Sequence, residues 1–140
     1  NTLMCDDVTL SQIKVLATIS EAADETITLK ELEKIVTEYA EKKNVEVECF
    51  QSDIEGEICS KITTTDCDAI ILNAGAYSHY SIAIRDAVSA SKKPCVEVHI
   101  SNLFAREKFR SESVIAPVTN GVITGFGVKG YLLAVDYFAL

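Results

Sequence analysis

The chain has 140 residues, 48% of them apolar and 24% charged, and carries a net charge of −8 at pH 7. That is enough for one globular domain with a real core. The acidic balance excludes a nucleic-acid partner, which needs a basic stripe, and no apolar run approaches the roughly 20 residues that cross a bilayer.

Strands and helices alternate along the sequence. Residues 1–11, with Asp6 and Asp7 and no basic start, read as an extension and not as a secretory signal. Ile13 to Ile19 (IKVLATI) is expected to form a strand. Thr28 opens a helix, because Glu31 completes a capping box and Leu29, Leu32, Ile35, Val36 and Tyr39 recur at helical spacing. Val45 to Phe50 alternates as a second strand, and a weaker helix is expected from about Ile54 to Ile62, with Asp53 as its cap. Ala69 to Leu72 is a continuous apolar strand of the kind covered by helices on both faces. A helix over Ser81 to Ala90 should turn Ile82 and Val88 inward, and Pro94 opens a strand from Cys95 to Val98. Val118 to Thr124 is the next strand, and Tyr131 to Leu140 a closing apolar helix.

Such alternation predicts an α/β three-layer sandwich with a parallel sheet and right-handed crossovers. Ligands of these sheets bind beyond the carboxyl ends of the strands. Gln51, Asn73, His99 and Gly125 all fall there. The cysteines Cys5, Cys49, Cys59, Cys67 and Cys95 include no C-x-x-C pair, so buried free thiols in a reducing cytoplasm are expected and a zinc site is not.

The scarce polar chemistry is concentrated at the ends of two strands. Both histidines, His79 and His99, lie there, and the arginines Arg85, Arg106 and Arg110 follow close behind. Glu97 shares a side of its strand with His99. A carboxylate so placed orients the imidazole and supports its role as a general acid; a strand-end histidine bonded to a loop carbonyl is the plainer reading. Asn73 could fix a ligand oxygen or cap the segment after it. Ile100 and Ser101 offer consecutive backbone N–H groups and a hydroxyl suited to a carboxylate or phosphate, unless the turn is simply solvated. Arg106 and Arg110, four apart, would share a helical face and either clamp an anion or pair with Glu107 and Glu112. Arg85 and Asp86 read as a helix-surface pair. Gly125 to Gly130 matches G-x-G-x-x-G, but no second strand or acidic residue follows at the distance a dinucleotide site needs. Close packing of the last helix on the sheet is the preferred role for these glycines.

Gln51-Ser52-Asp53-Ile54-Glu55-Gly56-Glu57, Asn73-Ala74-Gly75-Ala76-Tyr77-Ser78-His79, Arg85-Asp86-Ala87, Glu97-Val98-His99-Ile100-Ser101-Asn102, Arg106-Glu107 with Phe109-Arg110, and Gly125-Phe126-Gly127 through Gly130-Tyr131 occur in one order. Together they resemble type II 3-dehydroquinate dehydratases, from about Thr28 to the C-terminus. The resemblance implies a flavodoxin-like, five-stranded parallel sheet in a cytoplasmic lyase of the shikimate or quinate pathway. It implies a homo-oligomer, a dodecamer of trimers, using neither metal nor cofactor. The reaction it implies is loss of water from 3-dehydroquinate through an enolate, giving 3-dehydroshikimate. By the matching positions His99 protonates the departing hydroxyl and Glu97 holds its ring. Asn73, Ile100 and Ser101 take the substrate carboxylate region, His79 and Arg110 bind ring hydroxyls, Asp86 reaches in from a neighbouring subunit, and Arg106 supports the site.

The N-terminal side departs from the pattern. The family leaves its first strand through a G-P-N-x-N turn and a mobile lid that carries an arginine and the tyrosine acting as base. Here residues 20–27 (SEAADETI) form a shortened or replaced lid with no arginine, tyrosine, glycine or proline. Asp24 stands where the tyrosine falls, and Asp24 or Glu25 is the first substitute base to consider. Making Asn1-Thr2-Leu3-Met4 the remnant of the asparagine turn would put IKVLATI in the lid, a poor place for an apolar run. An impaired lyase is therefore expected. The alternatives are a non-catalytic homologue that binds a shikimate-like hydroxy acid or serves as an assembly subunit, and a nucleotide-binding module built on the terminal glycines.

Overall fold

The computed structural model describes residues 12–19 and 27–139. The expected extension at residues 1–11, Cys5, and Asp24 and Glu25 of the expected lid lie outside the described residues. Five strands, β1 (Ile13–Thr18), β2 (Val45–Phe50), β3 (Ala69–Leu72), β4 (Cys95–His99) and β5 (Gly121–Thr124), form one sheet in the order β2-β1-β3-β4-β5. Every neighbouring pair is parallel. This is the flavodoxin-like order, in which the connection reverses direction between β1 and β3.

Among the described residues three helices connect strands, α1 (Leu29–Lys42), α2 (Glu55–Thr64) and α3 (Ile82–Ser91), and a fourth, α4 (Lys129–Phe138), follows β5. Leu32, Val36 and Ala40 of α1 and Tyr131, Ala134, Val135 and Phe138 of α4 pack with Val15, Ala17, Ile71, Val96 and Val98 on one sheet face. Ile58 and Ile62 of α2 and Ile84, Ala87 and Val88 of α3 cover Ile70, Leu72 and Cys95 on the other. The three layers follow from the strand sequences. The interior strand β3 is buried on both faces and can be wholly apolar, whereas β4 alternates Val96 and Val98 toward α4 with Cys95, Glu97 and His99 on the opposite face.

The α1 start is set by its sequence. Thr28 Oγ1 accepts from Glu31 N at 3.1 Å and Glu31 Oε2 accepts from Thr28 N at 2.8 Å, the expected capping box. Thr28→Ala is expected to cost about 1 kcal/mol of unfolding free energy in urea denaturation, the usual worth of such a cap. A change below the error of that measurement would mean that packing against the sheet alone fixes the helix start.

Several local expectations are corrected. Asp53 does not cap α2: Ser52 Oγ accepts from Ile54 N at 3.0 Å instead, and the cap residue Ile54 makes no side-chain bond. Ile82 points outward with 55% exposure; it lies two positions, roughly 200° of helix, from the buried Ile84. The strand expected from Val118 starts only at Gly121, after a 3-10 turn at Ala116–Val118 in which Pro117 has no N–H for a ladder. Asn120 then hooks onto Cys95, whose N–H its side chain accepts at 2.8 Å. Helix α4 begins at Lys129, two residues ahead of expectation.

The terminal glycines do the packing work expected of them. A Cβ on Gly130 would stand 3.3 Å from Val98 Cγ1, so the bare backbone lets α4 settle on β4 and β5. Gly125 turns the chain at φ +95° against Asn102, a conformation that disfavours any side chain. Cys49, Cys59, Cys67 and Cys95 are free thiols, the last two buried. Burial, helped by the Glu97 carboxylate, pushes the Cys95 thiol up to about 12, so it stays protonated and unreactive in the folded chain.

Candidate active site

The carboxyl ends of β3, β4 and β5 meet at one edge, and each contributes a hydrogen-bonding group. β3 ends in buried Asn73. Its Oδ1 accepts from Gly75 N at 3.0 Å, which starts the 3-10 turn Gly75–His79, and its Nδ2 donates to Tyr131 Oη at 2.8 Å. Asn73 thus braces the start of the turn, whose cap position is Ala74, and its second amide hydrogen remains for a ligand. The turn carries His79 back over the strand ends.

β4 ends in His99, only 4% exposed. Its Nε2 lies 2.7 Å from Oε2 of Glu97, two residues back on the same strand face, and the carboxylate has no solvent exposure. The alternation of β4 dictates this pairing. The ring is held by a carboxylate and not by a loop carbonyl, so the plainer reading of His99 fails. A carbonyl does hold His79: its Nδ1 meets the Glu112 carbonyl at 2.7 Å. Because that oxygen can only accept, Nδ1 carries the hydrogen, and in the neutral ring Nε2 is then the acceptor. The two imidazoles lie nearly parallel with centroids 6.3 Å apart, and Phe109 meets His79 edge-on.

Past β4 the chain makes two short 3-10 turns, Leu103–Ala105 and Lys108–Ser111. Arg106 and Arg110 thus do not share the helical face expected of them: Arg106 lies in the break after the first turn and Arg110 within the second. Glu107 sits between them, 3.0 Å from Arg110 Nε and 3.9 Å from Arg106 Nε. The bond from Arg110 holds the Glu107 carboxyl below its ordinary range. Arg106 also donates to Ser101 Oγ at 3.2 Å, and the Ser101 carbonyl accepts from Thr124 Oγ1 of β5 at 2.9 Å. Arg110 stacks over Phe109 at 5.0 Å.

Asn73, His79, His99, Ile100, Ser101, Arg106 and Arg110 line a single cleft together with Gly75, Ala76 and Leu103. Glu97 lies beneath it. Asp86 does not belong to this group: it is exposed on α3, and Arg85 beside it donates to the Val114 carbonyl and not to Asp86. Ser113, Tyr131, Thr124 and the Glu112 carbonyl escaped the sequence reading. Only Tyr131 carried a signal, as part of the glycine motif's last stretch. The cleft collects hydrogen-bond donors, two cationic side chains and one carboxylate-held imidazole, a set suited to binding a small hydroxylated anion and delivering a proton to it.

Comparison with known sequences and structures points the same way. The family described as Dehydroquinase class II matches residues 11–139. The chain belongs to that family. The 3-dehydroquinate dehydratase of Thermotoga petrophila is 51% identical over 108 residues, covering 77% of this chain and 75% of that protein. The type II dehydroquinase from Butyrivibrio crossotus is 41% identical, with a TM-score of 0.84 over 92% of this chain and 99% of its own. The one from Propionibacterium acnes gives 38% and 0.83, over 91% and 95% of the two chains. A class II dehydroquinase with IKVLATI in its lid is ruled out by the sheet: β1 pairs with both β2 and β3.

Proposed function

We propose that the protein is a hydro-lyase that eliminates water from 3-dehydroquinate to give 3-dehydroshikimate. The observation that carries this reading is the buried Glu97–His99 pair at the floor of a cleft otherwise lined by Asn73, His79, Ser101, Arg106 and Arg110. Elimination beside a ketone needs a base to take the α-proton, a place for the enolate, and an acid for the departing hydroxyl. His99 is that acid. Glu97 fixes its ring through Nε2 and stabilises the imidazolium, leaving Nδ1 for the cleft. The Ser101 hydroxyl, the nearby backbone and Asn73 take the substrate carboxylate region. Arg110 and His79 Nε2 take ring hydroxyls, and Arg106 holds Ser101 in place. The base belongs to the segment after β1, where Asp24 and Glu25 stand in for the family's tyrosine.

The same reading makes the chain one domain with an extension at residues 1–11. It assigns the protein to the cytoplasm, in the shikimate or quinate pathway. It also assembles the chain as a dodecamer of trimers, in which the exposed Asp86 serves a neighbouring site. Among the described residues no helix is long and apolar enough to cross a membrane.

Purified protein incubated with 3-dehydroquinate is expected to produce the ultraviolet absorbance of the conjugated enone product. Saturable thermal stabilisation by 3-dehydroquinate without any absorbance change would replace this reading with a binding protein lacking turnover.

A further inference from the structure

Glu97 is a carboxylate without solvent exposure, on a strand flanked by β3 and β5. A charge so placed is tolerated only when its oxygens are satisfied. Oε2 meets His99 Nε2, and Oε1 accepts from Ser113 Oγ at 2.8 Å. The serine end fixes the direction of that second bond. Ser113 Oγ accepts two backbone N–H groups, from Ala116 at 3.0 Å and from Ile115 at 3.2 Å. With both lone pairs taken, the hydroxyl proton has one use, and Glu97 receives it. Ser113 is a fixed donor, anchored at the entry to the Ala116–Val118 turn.

The same run of chain holds the other imidazole, because the carbonyl of the preceding residue, Glu112, is the partner of His79 Nδ1. The run is itself clamped. Val114 N donates to the Ser78 carbonyl at 2.8 Å, the Val114 carbonyl accepts from Arg85 Nη1 at 2.9 Å, and Ile115 is fully buried.

We infer that Ser113 is a positioning residue for proton delivery: it locks the Glu97 carboxylate in one orientation, and through it the His99 ring, while its neighbour Glu112 sets His79. One short run, residues 112–115, therefore holds both imidazoles at their mutual angle. The inference rests on His99 being the proton donor of the proposed reaction, but its geometric half is measurable without turnover.

The test uses the full chain carrying 15N-labelled histidine, whose two rings give separate nitrogen signals. In the wild type the neutral His99 ring is expected in a single tautomer, protonated on Nε2. Ser113→Ala should move its ring-nitrogen signals toward those of a tautomer mixture and leave His79 unchanged. Ser113→Thr, which keeps the hydroxyl, should restore the wild-type pattern. In the absorbance assay Ser113→Ala should lower kcat by up to about a hundredfold with KM changed less than about twofold, again with rescue by threonine. Ser113→Cys keeps the volume and offers only a weak S–H donor, and is read in the same way if alanine lowers the yield of folded protein. Unchanged His99 signals in a folded alanine or cysteine variant overturn the inference, whatever the turnover. Altered signals alongside an inactive wild type uphold the positioning role and count against the proposed reaction.

Discussion

His99→Ala is expected to lower the turnover of 3-dehydroquinate by about 10²–10⁴, the usual worth of a positioned acid or base. The expectation comes from the asymmetry between the two histidines. Glu97 holds the His99 ring by one nitrogen and keeps the other for the cleft, and its carboxylate stabilises the imidazolium. His79 is fixed by a neutral carbonyl and offers an acceptor, which suits a hydroxyl better than a leaving group. Binding should largely survive the substitution, since Asn73, Ser101, Arg106 and Arg110 keep their positions around the cleft. Thermal-shift titration with 3-dehydroquinate should therefore still saturate in the variant. Turnover undiminished in His99→Ala would move the acid elsewhere and leave the Glu97–His99 pair a structural feature.

The second large effect is on stability. Glu97→Ala is expected to cost about 3 kcal/mol or more of unfolding free energy, measured by urea denaturation, because it breaks a buried pair from one side. His99 Nε2 and the Ser113 hydroxyl both lose the partner between them, and a void remains where the fully buried carboxylate stood. Glu97→Gln keeps the volume and one acceptor oxygen, and should fall well short of that loss. It should nonetheless impair catalysis, since a neutral amide does not stabilise an imidazolium. An alanine variant as stable as wild type would show that the carboxylate is not needed to satisfy its neighbours.

The parts of the site legible in the sequence are those that lie on regular elements. Period-two alternation places Glu97 under His99, and strand ends at Leu72 and His99 bring Asn73 and the β4 terminus to one edge. The capping box at Thr28 likewise follows from two residues at fixed spacing. Within the site, the misplaced elements lie in residues 100–120, where short 3-10 turns replace any sustained period. There Arg106 and Arg110 suggest a helical pair, yet Glu107 between them draws both and the chain breaks at that point. Ser113 was invisible for a related reason. Its function depends on two backbone N–H groups that no side-chain pattern reports. Tyr131 sits on a helix whose spacing predicts burial but says nothing about which hydroxyl partner waits across the sheet; that partner is Asn73, 58 positions earlier.

The seat of β1 sets a floor on how far the chain can be trimmed from its front. β1 lies between β2 and β3, and its residues pair with both, so it is a spine and not a border. Deleting a border strand shortens a sheet; deleting a spine divides it, here into an isolated β2 and a β3-β4-β5 remnant. The helix α1, whose buried side packs against Val15 and Ala17, would lose its footing at the same time. Shortening this protein from its front therefore has to stop before Ile13, although every cleft residue named above lies at least sixty positions beyond it.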